Sequence, residues 1–117
     1  VAWAPVTNNL SMYGTTDVPS FMLGSSATRR PDPGGEFWAA QSPLSYAHRV
    51  RTPTLIMTGE ADVRVPPGQS HEFYRALRAA GAETKLILYP REPHGIVEPR
   101  HRRHFLEQGV AWIADRV

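Results

Sequence analysis

Two residues in this chain have the types and setting for acid–base chemistry. Asp62 lies in Gly-Glu-Ala-Asp-Val-Arg-Val-Pro (Gly59–Pro66) and His94 in Glu-Pro-His-Gly-Ile (Glu92–Ile96), each loop directly behind a compact apolar run. Imidazole titrates close to neutral pH, so it can take a proton from a hydroxyl and return it later. A carboxylate on the far side of the ring holds the correct tautomer and stabilises the imidazolium that forms. His94 is therefore the candidate base and Asp62 its orienting acid, with Gly95 expected to let the loop turn beside the ring and Pro93 to stiffen its approach. The two stand 32 residues apart, room for one helix and one strand between them. This is the Asp…His half of a hydrolytic triad.

The elements that must position them are legible from periodicity. Val1–Ala4 reads as a short strand ended by Pro5, and Thr7–Tyr13 as a short helix. A breaker-rich stretch with Pro19, Gly24, Pro31, Pro33 and Gly34-Gly35 is expected to be irregular to about Gly35. Glu36–Gln41 and Ser42–Val50 are expected as helical turns. Thr54–Thr58, with Leu55, Ile56 and Met57 uninterrupted, has the pattern of a strand buried on both faces. A helix follows from Pro66-Pro67 to Ala80, with Phe73, Leu77 and Ala80 at helical spacing and Gly81 as its stop. Lys85–Tyr89 is the next strand, and a closing helix spans about Glu98 to Arg116, with Phe105, Gly109, Trp112 and Ile113 on one side. The fold class is α/β: about three parallel strands with flanking helices and right-handed crossovers. Ligands of such sheets gather at the carboxyl ends of the strands, where Asp62 and His94 both fall.

Composition narrows the function classes. With 13 Lys and Arg against 11 Asp and Glu, the net charge is only +2, carried by stretches such as Arg29-Arg30 and Arg100–Arg103. Nucleic-acid binding is not expected from so small an excess. There is no cysteine, which excludes thiolate catalysis, disulfides and cysteine-ligated zinc. No apolar run approaches the roughly 20 residues of a membrane span, and no membrane partner is expected. A cytoplasmic location is expected. The chain opens on Val1, in a core strand, which reads as the start of a fragment.

Other residues offer less specific chemistry. Arg64 is expected in a structural salt bridge. His101 and His104, three apart on the closing helix, have the spacing to share a metal, but a solvated helix face is the stronger reading, and no metal or cofactor is expected. His48 and His71 suggest nothing specific. Trp38 and Tyr46 are expected to pack in the core. A nucleophile elbow needs Gly-x-Ser-x-Gly between a strand and a helix. None of Ser11, Ser20, Ser25, Ser26, Ser42, Ser45 or Ser70 has that context, and Gly24-Ser25-Ser26 comes nearest without a strand before it.

Taken with these residues, the chain resembles the C-terminal part of a prolyl oligopeptidase-family catalytic domain, in the acylaminoacyl-peptidase and dipeptidyl-peptidase-like branch. The stretch from Ser42 to Val117 carries the likeness: Ser-Pro-Leu-Ser-Tyr-Ala, Thr-Pro-Thr-Leu-Ile, the Asp62 loop, Gln-Ser-His-Glu-Phe-Tyr-Arg-Ala-Leu, Tyr-Pro-Arg-Glu-Pro-His-Gly and Ala-Trp-Ile. Ala-Pro-Val-Thr-Asn-Asn-Leu-Ser-Met-Tyr-Gly resembles the segment after the family's nucleophile helix. The resemblance implies residues 1–117 of a partial α/β-hydrolase fold, the last strands of a larger sheet. It implies a serine hydrolase acting on short peptides or acyl esters, with Asp62 and His94 in the acid and base positions. The serine, and the β-propeller that limits substrate size, would lie upstream of Val1, leaving the isolated chain inactive. The first strand would then expose an edge for self-association or for pairing with the missing part of the domain. Two alternatives stay open: a small esterase using Ser25 or Ser26, and a non-enzymatic binding or assembly module on a hydrolase scaffold.

Overall fold

The computed structural model describes residues 1–24 and 35–117. The parallel sheet has the order β1 (Ala2–Trp3), β2 (Thr54–Gly59), β3 (Thr84–Tyr89). Register runs Ala2 with Ile56 and Trp3 with Met57, then Thr54 with Thr84 through Gly59 with Tyr89. β2 is the central strand because Leu55, Ile56 and Met57 have no polar side chain to place in water. All three are fully buried.

Alternation along β2 sends these side chains to opposite faces. Ile56 packs with Ala47, Leu77 and Ala82, under the helix α4 (Gly68–Ala79). Leu55 and Met57 pack with Tyr89, Trp3, Phe105 and Trp112, under the closing helix α5 (Pro99–Ala114). α4 ends as expected: Gly81 takes φ +81°, and the N–H groups of Gly81 and Ala82 return to the carbonyls of Arg78 and Leu77 (3.1 and 3.0 Å). Within α5, Phe105 and Trp112 face the sheet, and Gly109 brings the helix close to the Met57 methyl. Ile113 does not join them and is 52% exposed.

Between β1 and β2 the chain forms α1 (Asn9–Thr15), α2 (Pro19–Gly24), α3 (Glu36–Ala40) and a 3-10 helix over Pro43–Arg49. α1 starts two residues later than the sequence suggests because the Asn8 side chain caps it, accepting from the N–H groups of Leu10 and Ser11. α2 corrects the expectation of an irregular stretch here. Its proline opens the helix, where the absent N–H has no intrahelical partner to lose. The remaining breakers, residues 25–34, lie outside the described residues. Ala4, Met12, Met22, Trp38 and Val65 form a third cluster beneath these helices. Trp38 is fully buried, as expected, whereas Tyr46 is not a core residue. It sits on the outer side of the 3-10 helix, its hydroxyl donating to the Ala40 carbonyl (2.7 Å) and the Arg49 guanidinium near its ring. Among the described residues, no helix is long and apolar enough to cross a membrane.

Candidate active site

The site begins with the β2–β3 register. Gly59 and Tyr89 are partners at the ends of the two strands, so the acid and base loops leave the sheet side by side. Two hydrogen bonds join them at once: the Glu60 N–H donates to the Tyr89 carbonyl (2.9 Å) and the Ala61 N–H to the Glu92 carbonyl (3.0 Å). A side chain at Gly59 would overlap the Glu92 carbonyl and come within 2.6 Å of the Pro93 oxygen. Glycine is thus required at Gly59 by contact. At Gly95 a Cβ would meet nothing, and the left-handed residue of the base loop is Arg91, at φ +66°. The expected role of Gly95 as the tight turn falls to Arg91 instead.

The structure brings Asp62 and His94 together. His94 Nδ1 lies 2.9 Å from Asp62 Oδ2. The other carboxylate oxygen, Oδ1, accepts from the backbone N–H groups of Arg64 and Val65, both at 2.9 Å. The Asp62 side chain is fully buried, while half of the His94 side chain remains exposed. Among the described residues, none forms a hydrogen bond with His94 Nε2. The Trp3 indole N–H, on the edge strand, donates to the His94 carbonyl at 2.9 Å and ties the base loop to the sheet.

Three contributors were not singled out in the sequence. Trp3 and Gly59 carried only core and turn signals. Glu92, two residues before His94, is fully buried. Its carboxylate accepts from the N–H groups of Val97 (2.7 Å) and Glu98 (3.0 Å) and from His101 Nδ1 (2.7 Å). Burial pushes its pKa up, but these donors outweigh burial and hold it below the ordinary glutamate value. An acid wedged between two prolines, Pro90 and Pro93, and beside an apolar strand was the available hint.

The remaining candidates fall elsewhere. Arg64 makes the expected salt bridge, its guanidinium meeting both Asp17 oxygens (2.7 and 3.3 Å). That hydrogen bond holds the Asp17 carboxyl below its ordinary range. His101 and His104 do not converge on one point: His101 turns to Glu92, and His104 Nδ1 meets the Tyr89 hydroxyl at 3.2 Å. Nor does His101 belong to a solvated face, because its side chain is only 20% exposed. Glu92, Glu98 and His101 place ligand-type atoms within 4.8 Å of one another. The Glu92 oxygens already hold N–H donors, however, and Glu98 binds Arg91 through both oxygens (2.9 Å each). The hydroxyls of Ser11, Ser42 and Ser45 bond within the helical segment or to α4, and that of Ser70 is buried without a partner among the described residues. Ser25 and Ser26 lie outside the described residues.

Beside His94 opens a cavity of about 330 Å³, lined by Val6, Met12, Val18, Phe21, Met22 and Val65, with Arg64 as its other polar wall. Its size and apolar lining suit one side chain or acyl group. The arrangement can therefore abstract a proton at Nε2 and return it, with Asp62 stabilising the charged ring, next to a pocket for an apolar substituent.

Comparison with known proteins places the chain in a family. The family model for the prolyl oligopeptidase family matches residues 1–117. The acylamino-acid-releasing enzyme of Sus scrofa is 37% identical over 115 residues, covering 93% of this chain and 16% of that protein. The Homo sapiens enzyme of the same name is 35% identical over 119 residues, covering 97% and 16%. Among solved structures, Pyrococcus horikoshii acylaminoacyl peptidase superposes with a TM-score of 0.83 at 25% identity, covering 97% of this chain and 20% of that one. A puromycin hydrolase superposes with a TM-score of 0.86 at 24% identity, over 97% of this chain and 17% of that one, which supports the shared α/β-hydrolase fold. The chain thus spans about a sixth of the length of the curated relatives it matches. On its sequence and its fold, the chain belongs to the prolyl oligopeptidase family.

Proposed function

We propose that this chain supplies the acid and the base, Asp62 and His94, of a Ser-Asp-His hydrolase that cleaves short peptides or acyl esters. The observation that carries the reading is the 2.9 Å contact between His94 Nδ1 and a buried Asp62 whose second oxygen is pinned by two backbone N–H groups. A carboxylate fixed in this way holds the ring, so that Nε2 is left for a serine hydroxyl. The neighbouring apolar cavity supports an apolar residue or acyl group as the portion of substrate recognised. The nucleophile would come from outside these residues, because no serine here has the elbow context. Its strand would add to β1, which among the described residues pairs with β2 on one side only; without it, the chain should self-associate through that edge.

The test is intact mass spectrometry after a fluorophosphonate probe. It is applied to the 117-residue chain, to the product of any longer reading frame that contains it, and to the His94→Ala variant of each. The expected result is no adduct on the chain and a stoichiometric adduct on the longer product that disappears with His94→Ala. An adduct on the chain itself, lost with His94→Ala, would place the nucleophile inside these residues. A folded longer product that never labels would remove the hydrolase reading and leave a non-enzymatic scaffold.

A further inference from the structure

We propose that Glu92 is a positioning residue that holds the base loop in register with the acid loop, with His101 as its partner. The inference rests on the reading of Asp62 and His94 as acid and base. Every polar atom that Glu92 contributes binds one of the segments that carry the pair. Its carbonyl accepts the Ala61 N–H, one residue before Asp62. Its own N–H donates to the Tyr89 carbonyl, at the end of β3. Its carboxylate gathers the Val97 and Glu98 N–H groups, which close the loop three and four residues after His94. His94 is thus suspended between two ends that a single residue fixes.

The chemistry requires that grip. His94 is half exposed, and few described groups hold it: Asp62 on the ring and Trp3 on the carbonyl. A loop free to move by an ångström would lengthen the contact to Asp62 and lose the tautomer that the pair depends on. A buried carboxylate with three donors is a stiff anchor, because breaking any one of its charge-assisted bonds leaves charge unpaired in a water-poor site. His101 supplies the third donor from α5, so the closing helix is tied into the same anchor. The bidentate Arg91–Glu98 pair braces the loop from outside. With both Glu92 oxygens occupied by these donors, the cluster's job is to hold the loop, and a cation would have to displace N–H groups to enter.

The experiment reads the His94 tautomer directly. Ring 15N shifts, recorded through the carbon-bound ring protons, report the share of His94 carrying its proton on Nδ1. They are measured in the 117-residue chain and in Glu92→Gln, His101→Ala and Asp62→Asn, with the amide spectrum reporting folding. The expected result is a clear Nδ1–H excess in the unsubstituted chain that is lost in Asp62→Asn and falls toward that of free imidazole in Glu92→Gln and His101→Ala. A purely structural Glu92 would lower the unfolding midpoint and leave the His94 tautomer unmoved, and that outcome overturns the proposal. Should Glu92→Gln fail to fold, His101→Ala decides alone, since it removes one donor and leaves both backbone donors in place. If the unsubstituted chain shows no Nδ1–H excess, or Asp62→Asn leaves it intact, the acid–base pair itself fails and Glu92 has nothing to position.

Discussion

Asp62 and His94 divide the labour of one hydrogen bond unequally: the carboxylate is fully buried, and half of the imidazole faces solvent. The acid is immobilised by the Arg64 and Val65 N–H groups, and the base inherits its orientation from the acid. The chemistry of the pair therefore depends on the carboxylate more than its distance from the substrate suggests. In the Ser-Asp-His hydrolase proposed above, Asp62→Asn should lower kcat by about 10⁴-fold with little change in KM. Steady-state hydrolysis of an acyl-alanyl anilide measures this. A fall of less than about tenfold would remove Asp62 from the triad.

Acid should loosen the fold through its carboxylates. Glu92 sits below its ordinary value of 4.5 because burial is outweighed by the Val97, His101 and Glu98 donors. Glu98 is lowered by the Arg91 hydrogen bond, and Asp17 by that of Arg64. A depressed folded-state pKa adds stability that is present above the unfolded value and lost as pH falls through the folded one. Urea midpoints should hold steady down to about pH 5 and then decline toward pH 3. The Glu92→Gln variant should start lower and decline less steeply. An identical slope would mean that Glu92 does not contribute.

Two glycines should respond oppositely to alanine. At Gly59 a methyl has no space against the Glu92 and Pro93 carbonyls, so Gly59→Ala should cost about 1–3 kcal/mol and part the two loops. At Gly109, inside α5, a Cβ would meet just the Met57 methyl, at 4.0 Å, among the described residues beyond the helix's own neighbouring turns. Gly109→Ala should therefore be neutral or stabilising by up to about 1 kcal/mol, from helix propensity. Thermal unfolding of both variants checks the contrast.

The cavity makes a prediction about selectivity. Phe21 lines it and is 68% exposed, so its removal should not disturb the core. Phe21→Ala should raise KM for substrates with a large apolar acyl-side residue by about tenfold, the scale of one lost side-chain contact, and spare small ones. Equal loss for both would separate this cavity from substrate binding.

Trp3→Phe keeps an aromatic ring against Phe105 and deletes the N–H that meets the His94 carbonyl. It should reduce kcat by about threefold to tenfold, in line with one lost hydrogen bond of 0.5–1.5 kcal/mol, while the unfolding midpoint changes little. A large fall in stability with kcat unaltered would assign Trp3 to packing alone.

Much of the architecture was legible because it is local. Leu55–Met57 and Leu86–Leu88 are apolar without interruption, which marked both as strands. Only the first is fully buried; the second, in β3 at the edge of the described sheet, is half-buried. Gly81 marked its helix end through the left-handed conformation that residues with a Cβ resist. Asp62 and His94 were readable for the same reason, each being a chemically capable residue just past a strand. The α2 helix was misread because Pro19 signals a break and a helix start equally well, and only the flanking packing of Met22 separates them. Tyr46 was misread because aromatic character does not say which side of a short helix faces out. What the sequence by itself determined is the order of the elements and the pair, Asp62 and His94, whose side chains meet at 2.9 Å. The tertiary structure alone decided which residues touch the two loops: Gly59 against the Glu92 and Pro93 carbonyls, Glu92 against Ala61, and Trp3 against the His94 carbonyl. Gly59 acts across the β2–β3 register and Trp3 from the edge strand, while Glu92 meets the Asp62 loop through its carbonyl and its own loop and α5 through its carboxylate. Contacts between residues as far apart as Gly59 and Tyr89, Ala61 and Glu92, or Trp3 and His94 leave no periodic trace in a linear chain.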